Sequence, residues 1–243
     1  MIHIYYRTTI NNKPNNLRPE WFSYEKCFKN LLDTINDNCR LTIVFDGDSL
    51  SYNSSFFKKY EEKYKFNVKL ISAGSDFSSN TQTFQFINTE KQIAKEDLVY
   101  VLENDYLHLP NWPEIVTYLY SVSEGVHYTT LFDHLDKYLF TRQDRDDEFG
   151  MYKNLVSKIY VAARHWRTVP NTCGSFILRK DIFDQDLDVH TSGKADNTRF
   201  GELAKRGRVV LSPVPSLGTH CQIPYIAPII NWRSISDATE LFA

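Results

Sequence analysis

Acidic side chains fall where apolar runs end. Glu103-Asn104-Asp105 follows the run Leu98-Val99-Tyr100-Val101-Leu102, and Asp46-Gly47-Asp48-Ser49 follows Leu41-Thr42-Ile43-Val44-Phe45. Residues two apart at a strand end point to the same side, so Glu103 and Asp105 can face one ligand. Two adjacent carboxylates repel, and a hard divalent cation that takes oxygen ligands relieves the repulsion. The plainer alternative is a solvated acidic turn before Pro110. His220 sits among Pro213, Pro215 and Gly218, in a segment that would hold an imidazole in place. A neutral imidazole suits Mn²⁺, although a lone histidine is more often an ordinary hydrogen-bonded residue. Asp196 precedes Asn197-Thr198-Arg199-Phe200 near a helix start. There an Asp is either an N-cap or a general base aimed into a cleft, and position alone favours the cap. Asp133-His134 is a poor acid/base pair, because adjacent strand residues face opposite ways. No GxSxG elbow, P-loop, GxGxxG fingerprint or zinc-type Cys/His spacing is present. Lys58, Lys59, Lys63 and Lys65 are interleaved with Glu and read as a solvated face.

The elements that must position these residues alternate. The sequence predicts strands at Ile2 to Arg7, Leu41 to Phe45, Val68 to Ile71 and Leu98 to Leu102. Between them it predicts helices from Pro19 to about Ile35, from Ser54 to Lys65 and from about Thr81 to Ala94. Such alternation implies right-handed crossovers and a mainly parallel sheet, with ligands bound beyond the carboxyl ends of the strands. The acidic clusters sit at those ends. Asn11 to Asn16 reads as a loop. The second half is less regular, with a helix at Trp112 to Ser123, a strand at Tyr128 to Phe132 and an acidic loop at Asp144 to Glu148. Short strands follow at Lys158 to Val161, Ser175 to Arg179 and Val209 to Leu211, with a helix at Asp196 to Arg206. The proline-rich stretch from Ser212 to Trp232 is expected to be irregular.

Composition bounds the class. A chain of 243 residues with 42% hydrophobic and 14% aromatic content buries an ample core without metal or disulfide staples. The net charge of -2 argues against nucleic acid as a partner. No apolar run approaches a membrane span, and Met1-Ile2-His3-Ile4 leads into a strand rather than a signal. The four cysteines, Cys27, Cys39, Cys173 and Cys221, show no paired spacing and read as reduced thiols, so a cytoplasmic location is expected. Neither a linker nor a repeat divides the chain, and a single domain is expected.

Taken in order, these pieces resemble a GT-A glycosyltransferase of the broad family-2 type. Ile43-Val44-Phe45-Asp46-Gly47-Asp48-Ser49 looks like that family's strand ending in V-D-D-G-S, and Val101-Leu102-Glu103-Asn104-Asp105 looks like its DxD element. Thr172-Cys173-Gly174-Ser175-Phe176-Ile177-Leu178-Arg179-Lys180 resembles the strand on the acceptor side of the cleft. Ser212-Pro213 through Thr219-His220, then Ala227-Pro228-Ile229-Ile230-Asn231-Trp232, is similar to tails of some small members. The resemblance implies an α/β, Rossmann-like mixed and mainly parallel sheet flanked by helices. Residues 1 to about 110 would form the nucleotide-sugar half, and about 111 to 243 the acceptor half. It further implies a divalent metal, Mn²⁺ or Mg²⁺, on Asp105 and His220, and donor contacts from Tyr6, Arg7, Thr8, Asp46, Asp48, Glu103, Asn104 and Asp105. Asp196 would be the base of an inverting transfer from a nucleotide sugar to a glycan or glycoconjugate hydroxyl. The chain departs from the pattern in having Glu103 as the first DxD carboxylate, Ala195 before Asp196, and Tyr5-Tyr6-Arg7-Thr8 for the usual P-x-Y-N. Trp112, Trp166 and Trp232 are either sugar platforms or core. Two other classes compete. A sugar-phosphate nucleotidyltransferase would need a Gly-rich loop after the first strand, whereas Arg7 to Arg18 has no glycine. A non-catalytic glycan- or nucleotide-binding protein could share the fold.

Overall fold

The computed structural model describes residues 1–9, 17–135 and 157–242. The expected loops at Asn11 to Asn16 and Asp144 to Glu148 lie outside the described residues. The first half alternates as its apolar runs demand: β1 (Ile2–Thr9), α1 (Tyr24–Thr34), β2 (Cys39–Asp46), α2 (Ser49–Asn53), α3 (Phe57–Tyr60), β3 (Asn67–Ile71), α4 (Asp76–Thr89) and β4 (Leu98–Glu103). Next come β5 (Tyr106–His108), α5 (Trp112–Val122), β6 (Tyr128–Thr129), β7 (Ile159–Ala162), β8 (Arg164–Thr168) and β9 (Phe176–Arg179). The chain continues with α6 (Lys180–Gln185), α7 (Leu187–His190), α8 (Asp196–Lys205), β10 (Val210–Val214), β11 (Gly218–His220) and α9 (Trp232–Ala238).

Among the described residues the main sheet has nine strands in the order β3-β2-β1-β4-β9-β6-β10-β8-β7. β3, β2, β1 and β4 are parallel neighbours, while β9 runs antiparallel between β4 and β6. Chain order reverses beside β1: β2 and β3 build outward on one side, and β4 lies on the other. That reversal opens a crevice at the carboxyl ends of β1 and β4.

Alternation along the strands assigns two apolar layers. Ile2, Ile4, Tyr6, Leu98, Tyr100 and Leu102 enter one, with Phe28 and Leu31 of α1 and Trp112 and Val116 of α5. Tyr5, Val99 and Val101 enter the other, with Phe84 and Ile87 of α4 and Phe200 and Leu203 of α8. With both faces covered, β4 is apolar up to Glu103, and β1 is buried along nearly its whole length.

Several expected elements differ. The helix placed from Pro19 begins at Tyr24, where the Ser23 hydroxyl accepts from the Lys26 amide; Pro19 lies in the preceding turn. Of the single helix expected from Ser54 to Lys65 only α3, Phe57–Tyr60, is helical; α2, Ser49–Asn53, lies before it. α4 starts five residues before Thr81 because Ser75 caps it, accepting from Ser78 N. The expected strand to Phe132 ends at Thr129. The stretch from Ser212 to Trp232 is not wholly irregular, since it completes β10 and supplies β11 and the start of α9. Trp112, Trp166 and Trp232 are at most 1% exposed, so they are core rather than sugar platforms. The indole N–H of Trp166 donates to the Ala162 carbonyl, and that of Trp232 to the Ala227 carbonyl.

Candidate functional site

A cleft of about 560 Å³ opens at the reversal beside β1. Its walls are the end of β1 (Arg7, Thr8, Thr9), the end of β4 and the following turn (Glu103, Asn104, Asp105), and the loop into α4 (Gly74, Ser75, Asp76). Arg18 and Tyr24 close one side, and Asp46 lies at the far end.

Arg7 is a buried cation on the α4 side of β1. One of its guanidinium nitrogens donates to Asp76 Oδ1 at 2.6 Å, and another to Glu103 Oε1 at 3.3 Å. Glu103 is held from the other side too: its backbone N–H donates to Ser175 Oγ at 3.1 Å. Gly174 passes so close that a Cβ there would stand 2.6 Å from the Glu103 carboxyl. Burial pushes the Glu103 carboxyl up to about 7, against the lowering pull of Arg7. Asp105 goes the other way. Burial would raise it, but the opposite charges of His220 and Arg18 hold it down at about 2, so it is ionised at neutral pH.

The short ladder of β5 with β11 explains why a histidine from the chain's far end reaches Asp105. It sets His220 opposite Tyr106, and the two rings stack at 5.0 Å. His220 Nε2 then lies 3.0 Å from Asp105 Oδ2, and the Cys221 amide donates to the Asp105 carbonyl at 2.9 Å. Burial alone would depress His220, yet the Asp105 charge and hydrogen bond raise it above its ordinary value.

The sequence-predicted residues divide into those the cleft gathers and those it does not. Arg7, Thr8, Asp46, Glu103, Asn104 and Asp105 line it. Asp46 spends its carboxylate on the cleft's own frame, accepting from the Ala73 amide at 2.7 Å and the Gly74 amide at 3.2 Å. Tyr6 turns its ring into the core and donates its hydroxyl hydrogen to the Asn104 carbonyl at 3.1 Å; the Asn104 side-chain Nδ2 donates to Thr8 Oγ1 at 3.0 Å. Thus Tyr6 fixes the turn rather than facing the cleft. Asp48 stands outside the lining and caps α2 by accepting from the Ser51 amide at 2.8 Å. Asp196 is not the N-cap, which is Ala195. Its carboxylate accepts from the Thr172 amide at 3.3 Å and hydroxyl at 3.2 Å, and lies 3.5 Å from Arg199. Through the Thr172 to Gly174 turn it stands behind the Glu103 wall.

No family model matches the sequence, and no curated protein matches it. Solved structures do. S. aureus TarS (residues 1–349) superposes with a TM-score of 0.50 at 10% identity, over 87% of this chain and 57% of that one. This chain has a GT-A glycosyltransferase fold. The likeness carries the GT-A fold and not the family-2 assignment within it. The chain spans little more than half of the TarS chain, 57%. Mouse xyloside xylosyltransferase 1 in its apo form gives a TM-score of 0.46 at 10% identity, over 86% of this chain and 83% of that one.

Within this GT-A cleft the donor set suits a divalent cation shared with a substrate. Among the described residues no three or more His, Cys, Asp or Glu gather as a protein-only cage. Mg²⁺-type sites commonly need only one or two carboxylates plus substrate phosphates. Asp105 Oδ1 is buried without a hydrogen-bond partner, an anionic lone pair left open. Sequence reasoning missed Arg18, whose guanidinium donates to Asp105 Oδ2 at 2.5 Å. Eighty-seven residues separate the two, and nothing in the local sequence marks the contact. Gly174 was visible only as part of a resemblance; its need for glycine emerges from its positive φ of 84° and the Glu103 contact.

Proposed function

We propose that the cleft binds a nucleotide sugar and that the protein transfers the sugar to a hydroxyl of a glycan or glycoconjugate. The observation that carries this reading is the Asp105 carboxylate, with one buried oxygen unpartnered, at the reversal point of a GT-A sheet. Asp105 would hold Mn²⁺ or Mg²⁺ through its unpartnered oxygen, and His220 could join only as a neutral imidazole that has given up the proton it shares with Asp105; the ion when bound neutralises the negative charge developing on the leaving diphosphate.

The protein's own groups do the rest. Asp46, by holding the Ala73 and Gly74 amides, shapes the end of the cleft that takes the nucleoside. Glu103, kept in place by Arg7 and Ser175, is the acceptor for a ribose hydroxyl. Arg7 offsets the carboxylates of Glu103 and Asp76, so that the wall is not repulsive to a diphosphate. The acceptor oxygen attacks the anomeric carbon as the bond from that carbon to the diphosphate oxygen breaks, and the acceptor proton passes to a base; Asp196, outside the cleft lining and bonded to Thr172, is the candidate carried over from the resemblance. A single in-line displacement of this kind inverts the anomeric centre. The donor then belongs to residues 1 to about 110 and the acceptor to about 111 to 243. Titration calorimetry tests the reading: nucleoside diphosphates are added with Mn²⁺ and again with chelator. Binding of at least one, weakened by the chelator, is expected; silence across all bases in both conditions refutes it.

A further inference from the structure

Asp105 carries an unequal load. Its Oδ2 accepts from both Arg18 and His220, while its Oδ1 is buried and accepts from nothing. A carboxylate with two donors crowded on one oxygen and none on the other has room for one more cation. Once a divalent ion draws on the carboxylate, Arg18 is the partner free to change, because His220 is fixed by its stack on Tyr106 and by the β11 ladder.

Arg18 lies on a different footing. It precedes α1 and borders the cleft, with Asp105 as its ion-pair partner. A second nitrogen donates to the Cys221 carbonyl at 2.9 Å, and Phe22 lies under the guanidinium at 4.9 Å. Its Nε is buried with no partner, so donor capacity remains. Arg7, the other arginine lining the cleft, also has an unpartnered Nε, but its terminal nitrogens are divided between two carboxylates, Asp76 and Glu103, where Arg18 has only Asp105. Planar guanidinium forks match phosphate oxygens bidentately, which suits Arg18 to a diphosphate.

We propose that Arg18 is an exchanging cation: it neutralises Asp105 while no divalent ion is bound, and moves to the diphosphate oxygens once the ion takes Asp105. The inference rests on the nucleotide-sugar reading of the cleft. It gives the two ligands opposite responses to one substitution, which a merely structural arginine would not do. Removing the guanidinium frees Asp105 for the metal and strips a contact from the diphosphate.

The test uses Arg18→Gln and Arg18→Lys in the full chain, with circular dichroism and thermal melts to confirm that each folds. Mn²⁺ binding without nucleotide is read by electron paramagnetic resonance of the free ion, and nucleoside diphosphate binding in saturating Mn²⁺ by calorimetry. Arg18→Gln is expected to bind Mn²⁺ alone several-fold more tightly and the nucleoside diphosphate roughly tenfold or more weakly, the loss of a charge-assisted hydrogen bond. Arg18→Lys, which keeps the charge without the fork, should fall between wild type and Arg18→Gln for the nucleotide. Unchanged or weaker Mn²⁺ binding in a folded Arg18→Gln overturns the exchange, as does nucleotide affinity within twofold of wild type. If the wild type itself binds no nucleoside diphosphate, the nucleotide-sugar reading fails and the exchange with it. If the wild type binds and Arg18→Gln binds equally well, the exchange alone fails.

Discussion

Gly174→Ala offers a quantitative test of how the cleft wall is built. Gly174 has φ +84°, and an added Cβ would meet Cδ, Oε1 and Oε2 of Glu103 at 2.6 Å. The backbone strain of a non-glycine residue in that region costs about 1–2 kcal/mol. The carboxyl must also leave its place beside Arg7, whose bond to it is long at 3.3 Å. That loss adds about 1.5 kcal/mol, the low end for hydrogen bonds to charged groups. The sum is about 2.5–3.5 kcal/mol. Gly207→Ala is the control, since Gly207 has φ +79° but an added Cβ there would meet nothing within 4 Å. It should carry the strain alone, about 1–2 kcal/mol. Urea unfolding at constant m-value measures both. Shortening Glu103 to Ala in the Gly174→Ala background should restore most of the difference, as a coupled pair must. If the two glycine variants lose the same stability to within about 0.5 kcal/mol, or if the Glu103 change gives no relief, the close approach of Gly174 to Glu103 is not what shapes the wall.

Two further outcomes follow from named contacts. Burial would raise the Asp97 carboxyl, but hydrogen bonds from the terminal ammonium of Met1, His3 and the Ala94 amide hold it below its ordinary value. A depressed folded value contributes stability above the unfolded carboxylate pKa of about 3.9 and loses it as pH falls through the folded value. Asp97→Asn should therefore cost about 1 kcal/mol at neutral pH, with the gap to wild type closing in strong acid; a gap that widens on acidification contradicts the assignment. Asp196→Asn should abolish sugar transfer while leaving nucleoside diphosphate affinity nearly unchanged, read by product formation and calorimetry side by side. Turnover equal to wild type would reject Asp196 as the base.

How far the sequence reaches depends on the range of the interactions. β2 and β4 are buried strands that stand out as apolar runs, and their acidic ends followed directly. β8, reading Arg164-His165-Trp166-Arg167-Thr168, is charged and aromatic, and only pairing with β7 and β10 makes it a strand. β5 and β11 have three residues each and exist because they pair with each other across the chain. Short apolar or polar pieces of this kind carry no period of their own. The same division holds in the site. Asp105 and Glu103 were legible as acids closing an apolar run, although β4 ends at Glu103 and the turn, not strand alternation, brings Asp105 to the cleft; His220 was singled out although its contact with Asp105 depends on the β5–β11 ladder. Asp48 misled because a carboxylate after a strand serves equally as a helix cap. Arg18 was invisible because a loop arginine has no local pattern.

The central claim is that Asp105 serves the leaving diphosphate of a nucleotide sugar. Release of nucleoside diphosphate from a panel of nucleotide sugars, with Mn²⁺ present, compares wild type with Asp105→Asn most directly. The account predicts release from one donor class by the wild type and loss of at least a hundredfold in a folded Asp105→Asn, the scale of removing a group that stabilises charge in the transition state. Release that Asp105→Asn matches would contradict it, as would nucleotide sugars that bind the wild type and are never cleaved.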